Sequence, residues 1–302
     1  MFCGLGGWSE AAAQADCEVI LAANHWEIAI RWHRANHSRS EYYEKTLHDE
    51  TPWWTFPYCD IFLASPQCTG HTWARGKEAK HHAQDRATAW VVLNYAEHAE
   101  PPIIIVENVV EFLDWKLYRA WKTGLEDLGY AVKEHVFDAA DCGVPQNRER
   151  VYIVANWGKH PIPIQLPEQR QHVAVKSYID WGDRYNWSLI DKPGRAKRTL
   201  ERIENGRRAH GDRFVFPYYS AGSGLTGRSI DRPIGTLTTK ARWGIANGQM
   251  MRMLHSEEAR AIMGFPDNYK IPANEARANK LIGNAVSPPA GKHLLDQVVT
   301  LF

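Results

Sequence analysis

No stretch of this 302-residue chain approaches the roughly 18–20 consecutive apolar residues that a membrane-crossing helix needs, so a spanning segment is not expected. Its first residues have neither a charged n-region nor an apolar h-region, which points away from secretion and predicts a cytoplasmic protein. Cysteine is scarce: the five (Cys3, Cys17, Cys59, Cys68, Cys142) are odd in number, scattered, and include no C-x-x-C pair. That excludes a disulfide framework or a zinc ribbon and predicts reduced thiols. Neither charge sign is in excess, because the formal net charge is +1. Any nucleic-acid surface must therefore be a local patch. Internal repeats and low-complexity tracts are absent.

What is present is an alternation of short apolar runs with amphipathic stretches. Strands are predicted at Val19–Ala23, Ile61–Ala64, Ile103–Val106 and Val151–Ala155, and helices at Glu27–Ala35, Ala83–Glu97 and Leu117–Leu128. Such alternation predicts an α/β fold, a Rossmann-like, mostly parallel sheet with helices on both faces. From about Trp157 the periodicity gives way to Pro, Trp and polar residues, which predicts a smaller, irregular second domain. Helical character returns at Ser256–Met263.

Several loops carry residues suited to chemistry. Phe2-x-Gly4-x-Gly6-Gly7 reads as a glycine-rich turn that presents helix N–H groups to a ligand. Only Met1-Phe2-Cys3 precede it, so the strand expected to feed this turn is a stub: either the fold tolerates it, or translation starts upstream. After the next strand, Asn24-His25-Trp26 offer a ring to stack on a base and polar groups for a ribose. Asp60 is a candidate for an amino group of that base. Ser65-Pro66-Gln67-Cys68-Thr69-Gly70 follows a buried strand, where open α/β sheets place their chemistry, and Cys68 is the thiol best placed to act as a nucleophile. Glu107 ends the run Ile103–Val106, a buried setting that favours a protonated carboxyl. Gln146, Arg148 and Arg150 precede Val151–Ala155, and strand alternation places the two arginines on one face. The pair His81-His82 lacks further ligands, so no metal is expected.

Taken together and in this order, these segments resemble the cytosine-C5 DNA methyltransferase family over nearly the whole chain. Phe2–Gly7 is similar to its first cofactor motif, Pro66–Cys68 to its nucleophile motif, Glu107-Asn108-Val109 to its glutamate motif, and Gln146–Arg150 to its glutamine–arginine motif. Arg232-Pro233 with Thr236-Leu237-Thr238, Arg260 with Gly264-Phe265-Pro266-Asp267, and Ile282–Val286 with Pro288-Pro289 resemble the remaining motifs. The resemblance implies S-adenosylmethionine as methyl donor, held by Phe2, Gly4, Gly6, Gly7, His25, Trp26, Asp60, Asn284 and Ala285. It implies Cys68, Glu107, Arg148 and Arg150 as catalytic residues acting on a cytosine flipped out of double-stranded DNA, with Gln67, Asn108 and Gln146 on the substrate. It further implies a catalytic domain at 1–157, a target-recognition domain at 158–274, and a segment at 275–302 that returns to the cofactor pocket. In the recognition region Lys192, Arg195, Lys197, Arg198, Arg202, Arg207, Arg208 and Arg213 form a basic stretch suited to phosphate contacts, with Arg195 and Arg198 as candidates. A monomer is expected.

Three departures from the family pattern stand out. Gln67 replaces a proline, and its amide is free to bond substrate or loop backbone. His25 stands where a glutamate is usual for the ribose. The first strand is cut short. They leave open an RNA substrate, a variant donor, or a catalytically silent DNA-binding homologue.

Overall fold

The structure, a computed structural model, describes residues 1–48, 50–67, 88–168, 171–218 and 226–302. It divides into two compact units: residues 1–138, 149–168 and 285–302 form the first, and residues 139–148 and 169–284 the second.

In the first unit α1 (Gly7–Gln14) leads to a two-stranded parallel ladder of β1 (Leu21–Ala23) and β2 (Glu41–Tyr43), joined by α2 (Glu27–Asn36). A second sheet orders its strands β3 (Ile61–Ala64), β4 (Ile103–Asn108), β6 (Glu149–Trp157) and β5 (Tyr130–Asp138). β4 is its centre because Ile103-Ile104-Ile105-Val106 are β-branched and every residue of the strand is buried, the signature of a strand covered on both faces. The sheet is mixed. β3 runs parallel to β4, whereas β6 is antiparallel to both β4 and β5. A parallel neighbour needs a long crossover, and the chain between β5 and β6 holds only a short turn of 3-10 helix at Ala139–Cys142. α3 (Trp90–Ala99) and α4 (Tyr118–Asp127) contribute Tyr95, Trp121 and Leu125 to a core shared with Phe62, Ile104, Phe112 and Ile153.

The second unit holds an antiparallel sheet ordered β7 (Ser188–Leu189), β10 (Met250–Met253), β9 (Trp243–Asn247) and β8 (Arg213–Pro217). Ile203 of α5 (Lys197–His210) packs with Phe214, Phe216 and Met251 as its small core. Helices α6 (Ser256–Ile262) and α7 (Glu275–Asn284) pack on each other. The chain re-enters the first unit at Ala285, ahead of α8 (Pro288–Val298), so the return comes later than residue 275. Among the described residues no helix is long and apolar enough to cross a membrane.

Candidate active site

Three groups converge where β3 and β4 of the first unit end and β6 begins. Glu107, on the last turn of ladder in β4, lies opposite Tyr152 of β6, and its carboxylate meets Arg150 Nε at 3.2 Å. Both side chains are largely shielded, 8% and 15% exposed, so this is a desolvated pair whose partners hold each other's orientation. Next to it Asn108, also buried, donates from Nδ2 to the carbonyl of Pro66 at 3.3 Å while its Oδ1 accepts from Val109 N. The carboxamide thereby ties the exit of β3 to the exit of β4.

The residues before Cys68 are fixed at further points. Trp8 Nε1 of α1 donates to Ser65 Oγ at 3.0 Å, and Gln67 N donates to Thr88 Oγ1 at 2.9 Å. A proline at 67 has no N–H and could not make the second bond. Cys68 itself, with His81 and His82, lies outside the described residues. Of the four described thiols, three are held protonated by burial, with Cys3 pushed up to about 12 and Cys17 and Cys59 raised. Such thiols are poor nucleophiles.

The glycine turn opens α1. Gly6 has φ 104 and Gly4 φ 54, both left-handed, a conformation that glycine adopts at no steric cost. A Cβ at Gly4 would meet only Phe2 O at 3.9 Å, so there is room beside the turn for a ligand. Gly7 serves another end: a Cβ there would stand 2.1 Å from the carbonyl oxygen of Val286. The residue after Ala285 thus presses directly on the turn, and Ala285 is buried beside it. At the carboxyl end of β1, Asn24 Oδ1 accepts from Trp26 N at 2.9 Å, turning the chain into α2. His25 is exposed and Trp26 half-buried. The left-handed turn, the open space and these side chains fit S-adenosylmethionine.

Other expected residues are placed elsewhere. Asp60 opens β3 at its amino end and lines a cavity with Val19–Ala22, at the opposite end of the strand from Ser65. An adenine-binding role for it does not fit that placement. Arg148 belongs to the second unit, where it is 3% exposed and donates to the carbonyls of Leu237 at 3.3 Å and Gly283 at 3.2 Å. Gln146, fully buried there, accepts from Leu237 N at 2.7 Å and donates to Met263 Sδ. Asn284 is exposed at the end of α7 in the same unit. Arg260 is likewise internal, donating to the Pro266 carbonyl and pairing with Asp267 at 3.4 Å.

The basic stretch is divided. Arg195 donates to Ser188 Oγ and Leu189 O, Arg202 to Tyr218 O, and Arg207 to Gly248 O. Lys192, Lys197, Arg198 and Arg208 are exposed. Sequence reasoning missed Trp8, Ser65 and Thr88, which brace the nucleophile segment. It also missed the buried pair Arg252–Glu258 of the second unit, whose guanidinium is held bidentately at 2.6 and 2.7 Å. An indole directly after the glycine turn was the available signal for the first. Among the described residues no three His, Cys, Asp or Glu side chains gather as a metal site needs.

Comparison with known proteins follows the same lines. Residues 1–300 match the family described as C-5 cytosine-specific DNA methylase. The chain is 29% identical over 331 residues to the type II methyltransferase M.HpaII of Haemophilus parainfluenzae, covering all of this chain and 90% of that one. It is 25% identical over 304 residues to M.HhaI of Haemophilus parahaemolyticus, covering 95% and 89%. Among solved structures, a putative DNA modification methyltransferase from an E. coli prophage superposes with a TM-score of 0.71 at 16% identity, covering 99% and 97%. Spodoptera frugiperda DNMT2 superposes with a TM-score of 0.68 at 17% identity, covering 99% and 98%; both share the fold. The chain belongs to the C-5 cytosine-specific DNA methylase family and is an S-adenosylmethionine-dependent DNA cytosine-5 methyltransferase.

Proposed function

We propose that the chain acts as a cytoplasmic monomer on a cytosine flipped out of double-stranded DNA, with Cys68 as nucleophile and Glu107 and Arg150 meeting the pyrimidine. The observation that carries this reading is the desolvated Glu107–Arg150 pair, set beside the Asn108–Pro66 tie two residues before Cys68.

C5 of an intact cytosine is not nucleophilic. Addition of the Cys68 thiolate to C6 forms a carbon–sulfur bond, breaks the C5–C6 double bond and leaves its electron pair on C5. The charge that spreads to N3 is met by Glu107, which shares a proton with that nitrogen. Arg150, steered by Glu107, donates to the adjoining carbonyl oxygen. When bound, S-adenosylmethionine supplies the methyl group that C5 takes. Loss of the C5 proton returns an electron pair to the ring and expels the thiolate. The turn at Gly4, Gly6 and Gly7 cradles the donor with main-chain N–H groups, His25 reaches a ribose hydroxyl, and Trp26 stacks on the adenine. Arg148 and Gln146 act at a distance, through the loops they fasten. Arg198 makes a phosphate contact.

Mass spectrometry of nucleosides from a methylation-free host expressing the chain tests this reading. A 5-methylcytosine peak is expected, and none from Cys68→Ala at unchanged thermal stability. Product from that variant would remove Cys68 as nucleophile. Unmodified DNA alongside methylated tRNA would move the substrate to RNA, and an adduct of another mass would change the donor.

A further inference from the structure

The glycine turn stands at the head of α1, and Asn24–Trp26 at the head of α2. Behind these two loops three polar side chains meet in the interior of the first unit. His33 of α2 is fully buried, and Ser9 of α1 is buried beside it. An imidazole without exposed surface needs an internal partner for each nitrogen, because a bare one is costly. Nε2 lies 2.8 Å from Ser9 Oγ, and Nδ1 lies 2.9 Å from the hydroxyl of Tyr42 on β2.

The direction of these bonds follows from the far end of the chain. Tyr42 donates its own proton to the carbonyl of His37 at 2.6 Å, and a carbonyl only accepts. The Tyr42 oxygen therefore accepts from His33, so Nδ1 carries the ring hydrogen and Nε2 a lone pair. Ser9 then donates to Nε2. Burial keeps both rings neutral, lowering His33 from 6.5 to about 3 and raising Tyr42 from 10.0 to about 12. The Arg34 guanidinium lies 4.5 Å over the Tyr42 ring and pairs with Glu44, which steadies that ring. All three protons point one way, from α1 through α2 to β2 and back to the end of α2. Bonds aligned head to tail polarise one another, so removing one weakens the next.

Main-chain bonds carry this bracing to the loops. Asn24 N donates to the carbonyl of Tyr43, the residue after Tyr42, at 3.1 Å. Ser9 stands in the first turn of α1, where Glu10 N donates to Gly6 O at 2.8 Å. Any slip of α1 along α2 would move the glycine turn relative to His25 and Trp26, and the Ser9–His33 bond opposes it.

We propose that Ser9, His33 and Tyr42 form a positioning relay that sets the spacing between the glycine turn and the Asn24–Trp26 loop, and with it the affinity for S-adenosylmethionine. None of the three touches the donor, and their role rests on the reading of those two loops as the donor site. Loops already spaced for the ligand bind it without first being ordered, so the relay acts on donor affinity and not on the chemical step.

Equilibrium dialysis of the full chain against labelled S-adenosylmethionine, without DNA, tests the relay. Ser9→Ala and Tyr42→Phe should each weaken donor binding about 3–10-fold, the worth of one internal hydrogen bond. Both act through His33, so the double variant should bind within about twofold of the weaker single one. At saturating donor, kcat and the KM for DNA should stay within about twofold of wild type. Tyr130→Phe is the control. It removes a buried hydroxyl that donates to Pro101 O at 2.9 Å from the edge strand β5, and it should leave donor affinity unchanged. Unchanged donor binding in Ser9→Ala and Tyr42→Phe, full multiplication of their effects, or an equal loss in Tyr130→Phe would overturn the relay. Trp26→Ala tells that failure from failure of the donor site. Unchanged affinity in Trp26→Ala would remove the loop from the site and the relay with it, whereas a loss in Trp26→Ala alone would leave the site standing and the relay refuted.

Discussion

The two units bury charge for different ends. In the first, Glu107 is the one buried acidic side chain among the described residues, and it stands at a strand end facing Arg150. In the second, Arg148, Arg202, Arg252 and Arg260 are all buried, and each reaches backbone carbonyls or an internal carboxylate. The cause is architectural. A six-residue strand such as β4 satisfies its own peptide groups in the ladder, so the first unit has few carbonyls to fasten. The second unit consists largely of loops around a small core, and a guanidinium's five donors can collect several stray carbonyls at once. The same residue type faces a lone carboxylate at a strand end in one place and is a rivet in the other.

The sharpest way to break this contrast is Glu107→Gln. It is expected to cut turnover by about 10²–10⁴. Stability should fall by no more than about 2 kcal/mol, since the amide oxygen still accepts from Arg150. Paired methylation kinetics and urea unfolding read both, and near-normal turnover would strip Glu107 of its chemical role. Arg252→Ala should do the reverse, costing about 3–5 kcal/mol by leaving Glu258 buried and unpaired. A small loss in the same urea titration would end the idea of arginine as a rivet.

A smaller effect comes from His33, fully buried between Ser9 Oγ at 2.8 Å and Tyr42 at 2.9 Å. Burial first, then His37 and the Met1 ammonium, lower it from 6.5 to about 3. The unfolded imidazole takes up its proton near pH 6.5 and the folded one only near 3, so stability falls as pH drops through that window. Between pH 7 and pH 5 the stability advantage of the wild type over His33→Gln should shrink by about 2 kcal/mol. A constant difference would mean that the ring protonates in place. Least disruptive is Arg198→Ala on the exposed face of α5: stability should hold within about 0.5 kcal/mol, while DNA binding weakens and its salt slope falls by about 0.9. An unchanged slope would remove Arg198 from the phosphate surface.

Much of the first unit was legible from apolar runs. Ile61–Ala64 is a strand at its expected limits, and Ile103–Val106 extends only to Asn108. Ladder direction was not legible, because a run of isoleucines is buried whichever way its neighbour points. The two arginines show where alternation stops serving. It orders side chains only inside a strand, and β6 begins at Glu149, so Arg148 falls to the second unit. Asp60 shows another limit, since proximity to a strand in sequence does not say which end of the sheet a residue occupies. In the basic stretch a helix hides one face: Arg202 shares the buried side of α5 with Ile203 and Gly206, whereas Arg198 lies outside it.

Gly7 has a bearing on the order of synthesis. Its missing side chain is the space into which the Val286 carbonyl fits, and α1 packs along α8. The turn ahead of α1 is thus braced by residues made much later. Ribosomes release amino-terminal segments first, and these usually settle as they emerge. Here α1 must wait for α8, made much later, as the partner that fixes it. A nascent chain halted before Ala285 would lack that brace, and its turn is expected to hold the donor less well than a chain carried through Val298.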